Sequence, residues 1–146
     1  DFLYQAINKG RSGRPMLAWG ERENGLTADE MKGLVSYLRQ LGGNVQYKAD
    51  TMPAHWAKGD TNFGQRLFES NCAGCHGKTG EGLEGPAIGN KSFLNAATDT
   101  YLFETISRGR RGTIMQGFNT SSVVRRALTK EEIESIVVYL RSLGAK

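Results

Sequence analysis

Cys72-Ala73-Gly74-Cys75-His76 holds both cysteines of the 146-residue chain and one of its two histidines. Three chemistries use cysteines at this spacing. A redox dithiol of the thioredoxin kind calls for a surrounding β-α-β pattern, and this chain shows hardly any strand periodicity. A structural zinc site wants four ligands, and outside this run only His55 adds an imidazole. The third is covalent haem c attachment, for which C-x-x-C-H is the signature. There the two thiols add to the two vinyl groups of one porphyrin, and the adjacent imidazole lies under the iron. The run points to haem c, with a metal site and a dithiol as the alternatives.

The flanking sequence reads as helices. Residues 60–71 form one, with Asp60 or Thr61 to cap it and Phe63, Leu67 and Phe68 sharing a face. It leads directly into the cysteine run. A glycine-rich loop comes next, from Gly77 to Gly85-Pro86. Thr98-Asp99 opens a second helix, with Leu102, Phe103 and Ile106 on one face and Gly109 as its stop. The last helix begins at Thr129, whose spacing to Glu132 makes a capping box. Ile133, Ile136, Val137, Leu140 and Leu143 recur at helical spacing, and Gly144 ends the run.

This order resembles the class I c-type cytochromes over residues 60–144. The matching positions are Gly64 and Phe68, the C-x-x-C-H run, Gly85-Pro86, Ile106 with Gly109, Met115 with Phe118, and Tyr139-Leu140. The resemblance implies an all-α fold around one covalent haem, with His76 and Met115 as the axial ligands. It implies that the Pro86 carbonyl accepts a hydrogen bond from the His76 ring, and that Gly64 and Phe68 pack against Tyr139. One position departs. Gln116 follows Met115 where members of the family often have a proline that stiffens the ligand loop.

The chain before residue 60 repeats part of the C-terminal half. Residues 2–19 align with 101–118, and 26–42 with 128–144, with 15 of 35 positions identical. Such a repeat is a structural unit rather than chance. Met16 takes the place of Met115, and Thr27 with Glu30 repeats the capping box. The repeat has the helix before the methionine loop, the loop, and the last helix, but no first helix and no C-x-x-C-H. It reads as half a cytochrome module, from a two-haem ancestor that lost an attachment site or from a chain cut upstream. The expected organisation is a haem-less helical half-module at 1–42, a linker at 43–59, and a haem domain at 60–146. Phe2, Leu3 and Ile7 on one helix, and Met31, Leu34, Val35, Leu38 and Leu41 on the other, form apolar stripes. They are expected to pack on the haem domain and cover part of the haem, with Tyr47 and Trp56 of the linker wrapping across it.

Several residues invite other readings. Met16 reads as a packing methionine, with a haem-pocket role as the sharper alternative. His55 reads as a partly exposed histidine rather than a sixth ligand. Trp19 and Trp56 read as packing residues rather than electron conduits. Arg108, Arg110, Arg111, Arg125 and Arg126 bracket the methionine loop, either as a solvated face or as contacts to carboxylates of the haem or of a partner.

The composition limits the remaining possibilities. The net charge of +4 is too small and too scattered to argue for nucleic acid. No apolar run approaches the ~20 residues that cross a bilayer. The functional expectation is a monomeric electron carrier that cycles one haem c between ferric and ferrous states, with redox partner proteins that present an acidic docking surface. A haem-based catalytic or sensing domain with a labile sixth ligand, or an electron-transfer subunit of a larger oxidoreductase, are the alternatives. The resemblance implies export, so the bacterial periplasm is the expected compartment. No leader precedes Asp1, which reads as a mature or artificial start.

Overall fold

Thr27, Asp60, Asn90, Thr98 and Thr129 each accept a hydrogen bond from the backbone N–H three residues ahead, and each opens a helix. A computed structural model describes residues 2–10, 16–20, 25–43 and 51–145. Among these the helices are α1 (Phe2–Lys9), α2 (Ala28–Leu41), α3 (Thr61–Asn71), α4 (Ala73–His76), α5 (Lys91–Ala96), α6 (Asp99–Arg108) and α7 (Lys130–Gly144). The described residues hold no β-strand, only isolated bridges. The all-α expectation therefore holds. Helix α5 carries no pattern long enough to be read from sequence; its two buried residues, Phe93 and Leu94, become a helix face only in the core.

The chain divides into two units, residues 1–49 and 50–146. The described part of the expected linker, 51–59, thus belongs to the second unit; Tyr47 lies outside the described residues. In the second unit α7 is the central element and packs against α3, α5 and α6. Ile133, Ile136, Val137 and Leu140 of α7, Phe68 of α3 and Leu94 of α5 are almost wholly buried. Each contributes roughly 1.5–3 kcal/mol by leaving water. The α3–α7 crossing is close because Gly64 carries no side chain: a Cβ there would stand 1.9 Å from the Ser135 carbonyl oxygen. One turn further on, the rings of Phe68 and Tyr139 meet at 5.3 Å between centroids.

The first unit repeats the second in miniature. Its Trp19 N–H donates to Ile7 O at 3.0 Å, as Phe118 N–H donates to Ile106 O at 3.0 Å. Leu26 N–H donates to Trp19 O as Leu128 N–H donates to Phe118 O. Gly10 and Gly109 take nearly the same left-handed φ, +69° and +72°. A Cβ on either would collide with the carbonyl of the methionine in its own loop, Met16 or Met115. The two apolar stripes of this unit meet each other in part, while Phe2, Leu34, Leu38 and Leu41 stay exposed. Ile7 meets Met31 and Val35 in a small core, with Leu3, Tyr4, Met16 and Leu26 packed against it. Met16 is thus a packing methionine of the first unit.

Candidate haem site

Helix α3 delivers its last turn to Cys72, and α4 continues as one tight turn. The N–H groups of Cys75 and His76 both donate to Cys72 O, at 3.2 and 3.0 Å. Two thiols and an imidazole are thereby set within a single turn. The next loop is tied back to the same turn, with Gly82 N–H on His76 O and Gly85 N–H on Cys75 O. Gly85 passes so close to the imidazole that a Cβ would lie 2.8 Å from its Cε1. This approach brings Pro86 O to 2.9 Å from His76 Nδ1. With the proton on Nδ1, that nitrogen donates to the carbonyl and Nε2 keeps its lone pair. His76 is buried, so its orientation is set by packing as well as by this bond.

The cysteines are not paired with each other in a disulfide. Burial pushes the Cys72 thiol up to about 12, the neighbouring Cys75 adds to this, and the Arg125 charge opposes it. A redox dithiol requires the reverse, a thiol held below its ordinary value. Among the described residues no group of three or more His, Cys, Asp and Glu side chains is gathered for a metal, so a zinc site finds no donor set there.

Met115 sits half-buried in the loop after α6. Its N–H donates to Thr113 Oγ1 at 3.2 Å, and its carbonyl accepts from Arg110 N–H at 2.9 Å. An antiparallel bridge between Gly109 and Gln116 closes the loop at its neck. Phe118 and Asn119 then return it to Ile106 and Ser107 of α6. Half-buried apolar side chains packed on the main core include Cys72 and Ala73, Ile88, Phe103 and Phe118. They come from the segments that carry His76, Pro86 and Met115, with Phe103 added from α6. Two unpaired thiols and an imidazole with one nitrogen already engaged, held in one turn beside apolar side chains, are what the attachment of a haem c requires. The residues fit the group.

The arginines do not act together. Arg108 pairs with Glu104 at 2.6 Å, Arg110 donates to the Tyr101 hydroxyl, and Arg126 forms two hydrogen bonds with Glu132. Arg125 turns on to the loop itself. The histidine outside the motif, His55, lies exposed with its Nδ1 3.6 Å from Asp99 Oδ1. Trp56 is a packing residue: its ring meets Phe103 and its Nε1–H donates to Thr100 Oγ1 at 2.8 Å.

Asp99 is a structural centre that sequence reasoning missed. Its Oδ1 accepts from Arg141 Nε at 2.7 Å, and its Oδ2 from Ala57 N–H at 2.8 Å. Burial pushes the Asp99 carboxyl up, but these bonds and the Arg141 charge outweigh burial and hold it below its ordinary value. Arg141 also donates to the carbonyls of Leu94 and Ala97. One ion pair thus joins α6, α7, the end of α5 and residues 54–57. In sequence Asp99 is an acid in a first helical turn and Arg141 a base in a last one, both explained locally by the helix dipole. Nothing local marks them as partners.

The family model of cytochrome c oxidase, cbb3-type, subunit III matches residues 59–140. The chain belongs to that family. As a cbb3-type c-type cytochrome it carries haem c covalently bound, in agreement with its C-x-x-C-H run. It is 32% identical over 154 aligned residues to the cbb3-type cytochrome c oxidase subunit FixP of Bradyrhizobium diazoefficiens, an alignment that takes in 99% of this chain and 47% of that protein. It is 26% identical to cytochrome c-551 of Bacillus subtilis, over 65% of this chain and 85% of that one. Among solved structures, the Kuenenia stuttgartiensis reducing HAO-like protein complex shares the fold, with a TM-score of 0.53 at 18% identity, covering 97% of this chain and 70% of that one. The chain spans about half the length of the curated subunits it matches. No helix among the described residues of this cbb3-type cytochrome is long and apolar enough to cross a membrane.

Proposed function

We propose that residues 60–146 form a one-haem electron-transfer domain, with Cys72 and Cys75 as the thioether attachments and His76 and Met115 as the axial ligands. The observation that carries this is the 2.9 Å contact from His76 Nδ1 to Pro86 O within the turn that also holds both thiols. It orients the imidazole, fixes which nitrogen stays free, and raises the basicity of the free one. Bound there, haem c supplies an iron that is oxidised and reduced by one electron. The protein's part is to keep both axial positions filled, so that no substrate enters and little rearranges as charge changes. A thioether at the sixth position favours ferrous iron and so raises the potential.

Ile114, Val123 and Val124 are at least three-quarters exposed on the loops either side of Phe118, and Arg110 and Arg111 are exposed beside Ile114. Apolar tips with basic neighbours suit transient contact with a redox protein of acidic surface. The relatives are oxidase subunits by name, so the domain serves best as an electron-transfer module of a larger oxidoreductase at the exported, periplasmic side. Residues 1–42 are then half of a second cytochrome module. In support, α2 keeps buried only Met31 and Val35, while Gly33, Leu34, Tyr37 and Leu38 are exposed. Their counterparts on α7 (Ser135, Ile136, Tyr139 and Leu140) are buried, and the crossing with α3 is made at Ser135 and Tyr139.

Intact mass after acid–acetone extraction tests the attachment: polypeptide plus one haem is expected, and a haem that extracts refutes it. Met115→His tests the ligand. It should leave a folded protein with a lower potential and without the far-red thioether–iron band of the ferric form; a band that survives would remove Met115 from the iron.

A further inference from the structure

We infer that Arg125 is the positioning residue that holds the Met115 loop in its ligating form. The inference rests on the reading of Met115 as sixth ligand, and it concerns the stretch directly after it. Gln116-Gly117 carries no proline, and Gly117 has the greatest backbone freedom of any residue type. Something other than local stiffness must fix it. Arg125 does so at three points. Its Nη2 donates to Gly117 O at 2.5 Å, its Nη1 donates to Thr120 O at 3.2 Å, and its guanidinium lies 4.0 Å from the centroid of the Phe118 ring. Its own carbonyl accepts from Ser122 N–H, so the arginine is itself held in a turn.

The fork spans residues 117–120, clamping the first carbonyl and the last with the ring between them. A guanidinium meets this demand because it is planar, permanently charged and carries several N–H donors in fixed directions. Charge-assisted bonds of this kind are roughly twice as strong as neutral ones. Phe118 is packed on the main core, so the stack ties the loop to the rigid part of the domain. The loop bonds from Arg110 to Met115 and from Phe118 to Ile106 use backbone atoms only and lie on the α6 side. Arg125 supplies a side-chain restraint from the other side of the loop. Arg126, one residue on, turns away to Glu132, so the two neighbouring arginines have separate tasks.

The experiment compares Arg125→Ala, Arg125→Gln and Arg125→Lys with the parent holoprotein by ferric far-red absorbance, imidazole titration and far-ultraviolet circular dichroism. The parent should show the thioether band. Arg125→Ala and Arg125→Gln should weaken it and raise the affinity for imidazole about tenfold, the equivalent of one charge-assisted hydrogen bond, with the helix signal kept. Arg125→Lys keeps the charge but cannot span both carbonyls and stack on the ring, so it should resemble Arg125→Gln. Full rescue by lysine would show that charge alone matters and would overturn the positioning role. So would unchanged imidazole affinity in all three variants while Met115→Leu abolishes the band, which leaves the ligand reading intact. A parent protein with no thioether band overturns the ligand reading and this one together. If Arg125→Ala loses its helix signal, the comparison of glutamine with lysine decides.

Discussion

Asp99 shows how much one buried carboxylate organises when its partners are distant in sequence. It is almost fully buried and receives an N–H from residue 57 and a guanidinium from residue 141. Asp99→Asn keeps the shape but leaves the Arg141 charge without its counter-ion. The loss should be on the order of 3 kcal/mol, because an orphaned buried charge costs more than the pair itself contributes. A lowered thermal midpoint with unchanged haem absorbance is the expected result, and Arg141→Lys should recover little, since an ammonium cannot reach Asp99 and two carbonyls in one plane. The attachment turn contrasts with this. Cys72, Cys75 and His76 are neighbours in the chain, so their chemistry was legible without any tertiary contact. Met115 was legible only through a resemblance, since a lone methionine in a loop carries no local signal.

At the scale of elements, α7 illustrates how a cap and an ion pair combine. Glu132 accepts from Thr129 N–H at 2.9 Å and pairs with Arg126, whose hydrogen bonds are the main reason its carboxyl is lowered to about 2. A carboxylate lowered on folding adds stability above its unfolded value, and that stability is lost as the pH falls through the folded value. Wild type should therefore exceed Glu132→Gln in thermal midpoint at neutral pH. The gap should close between about pH 4 and pH 2, and a gap that stayed constant with pH would show that the carboxylate's charge does not set it. Glu30 repeats the cap on α2, where among the described residues its carboxylate accepts from Thr27 and no arginine joins it. The capping boxes, helix stops and stripes were readable because they repeat at short spacing. Helix α5 was not, since six residues make too little pattern and Asn90 alone looks like any loop residue.

For the whole molecule, the core of the second unit is drawn, among the described residues, from residues 57–143. Residues 50–146 expressed without the first 49 should therefore fold, bind one haem and keep the far-red band. Loss of the helix signal on this deletion would show that the second unit depends on the first. The sequence by itself determined the haem chemistry, the helical class, the caps and the internal repeat, because each is written in residues close together or in a spacing that recurs. Tertiary structure alone decided that the two N-terminal stripes bury Ile7, Met31 and Val35 against each other. It also decided that Asp99 meets Arg141, that residues 51–59 belong to the second unit, and that Arg125 rather than Arg126 bonds to the loop after Met115. These are pairings between segments whose separate sequences are each satisfied by a local explanation. Only the packing of the chain brings such groups within hydrogen-bonding distance, and burial then makes the pairing obligatory.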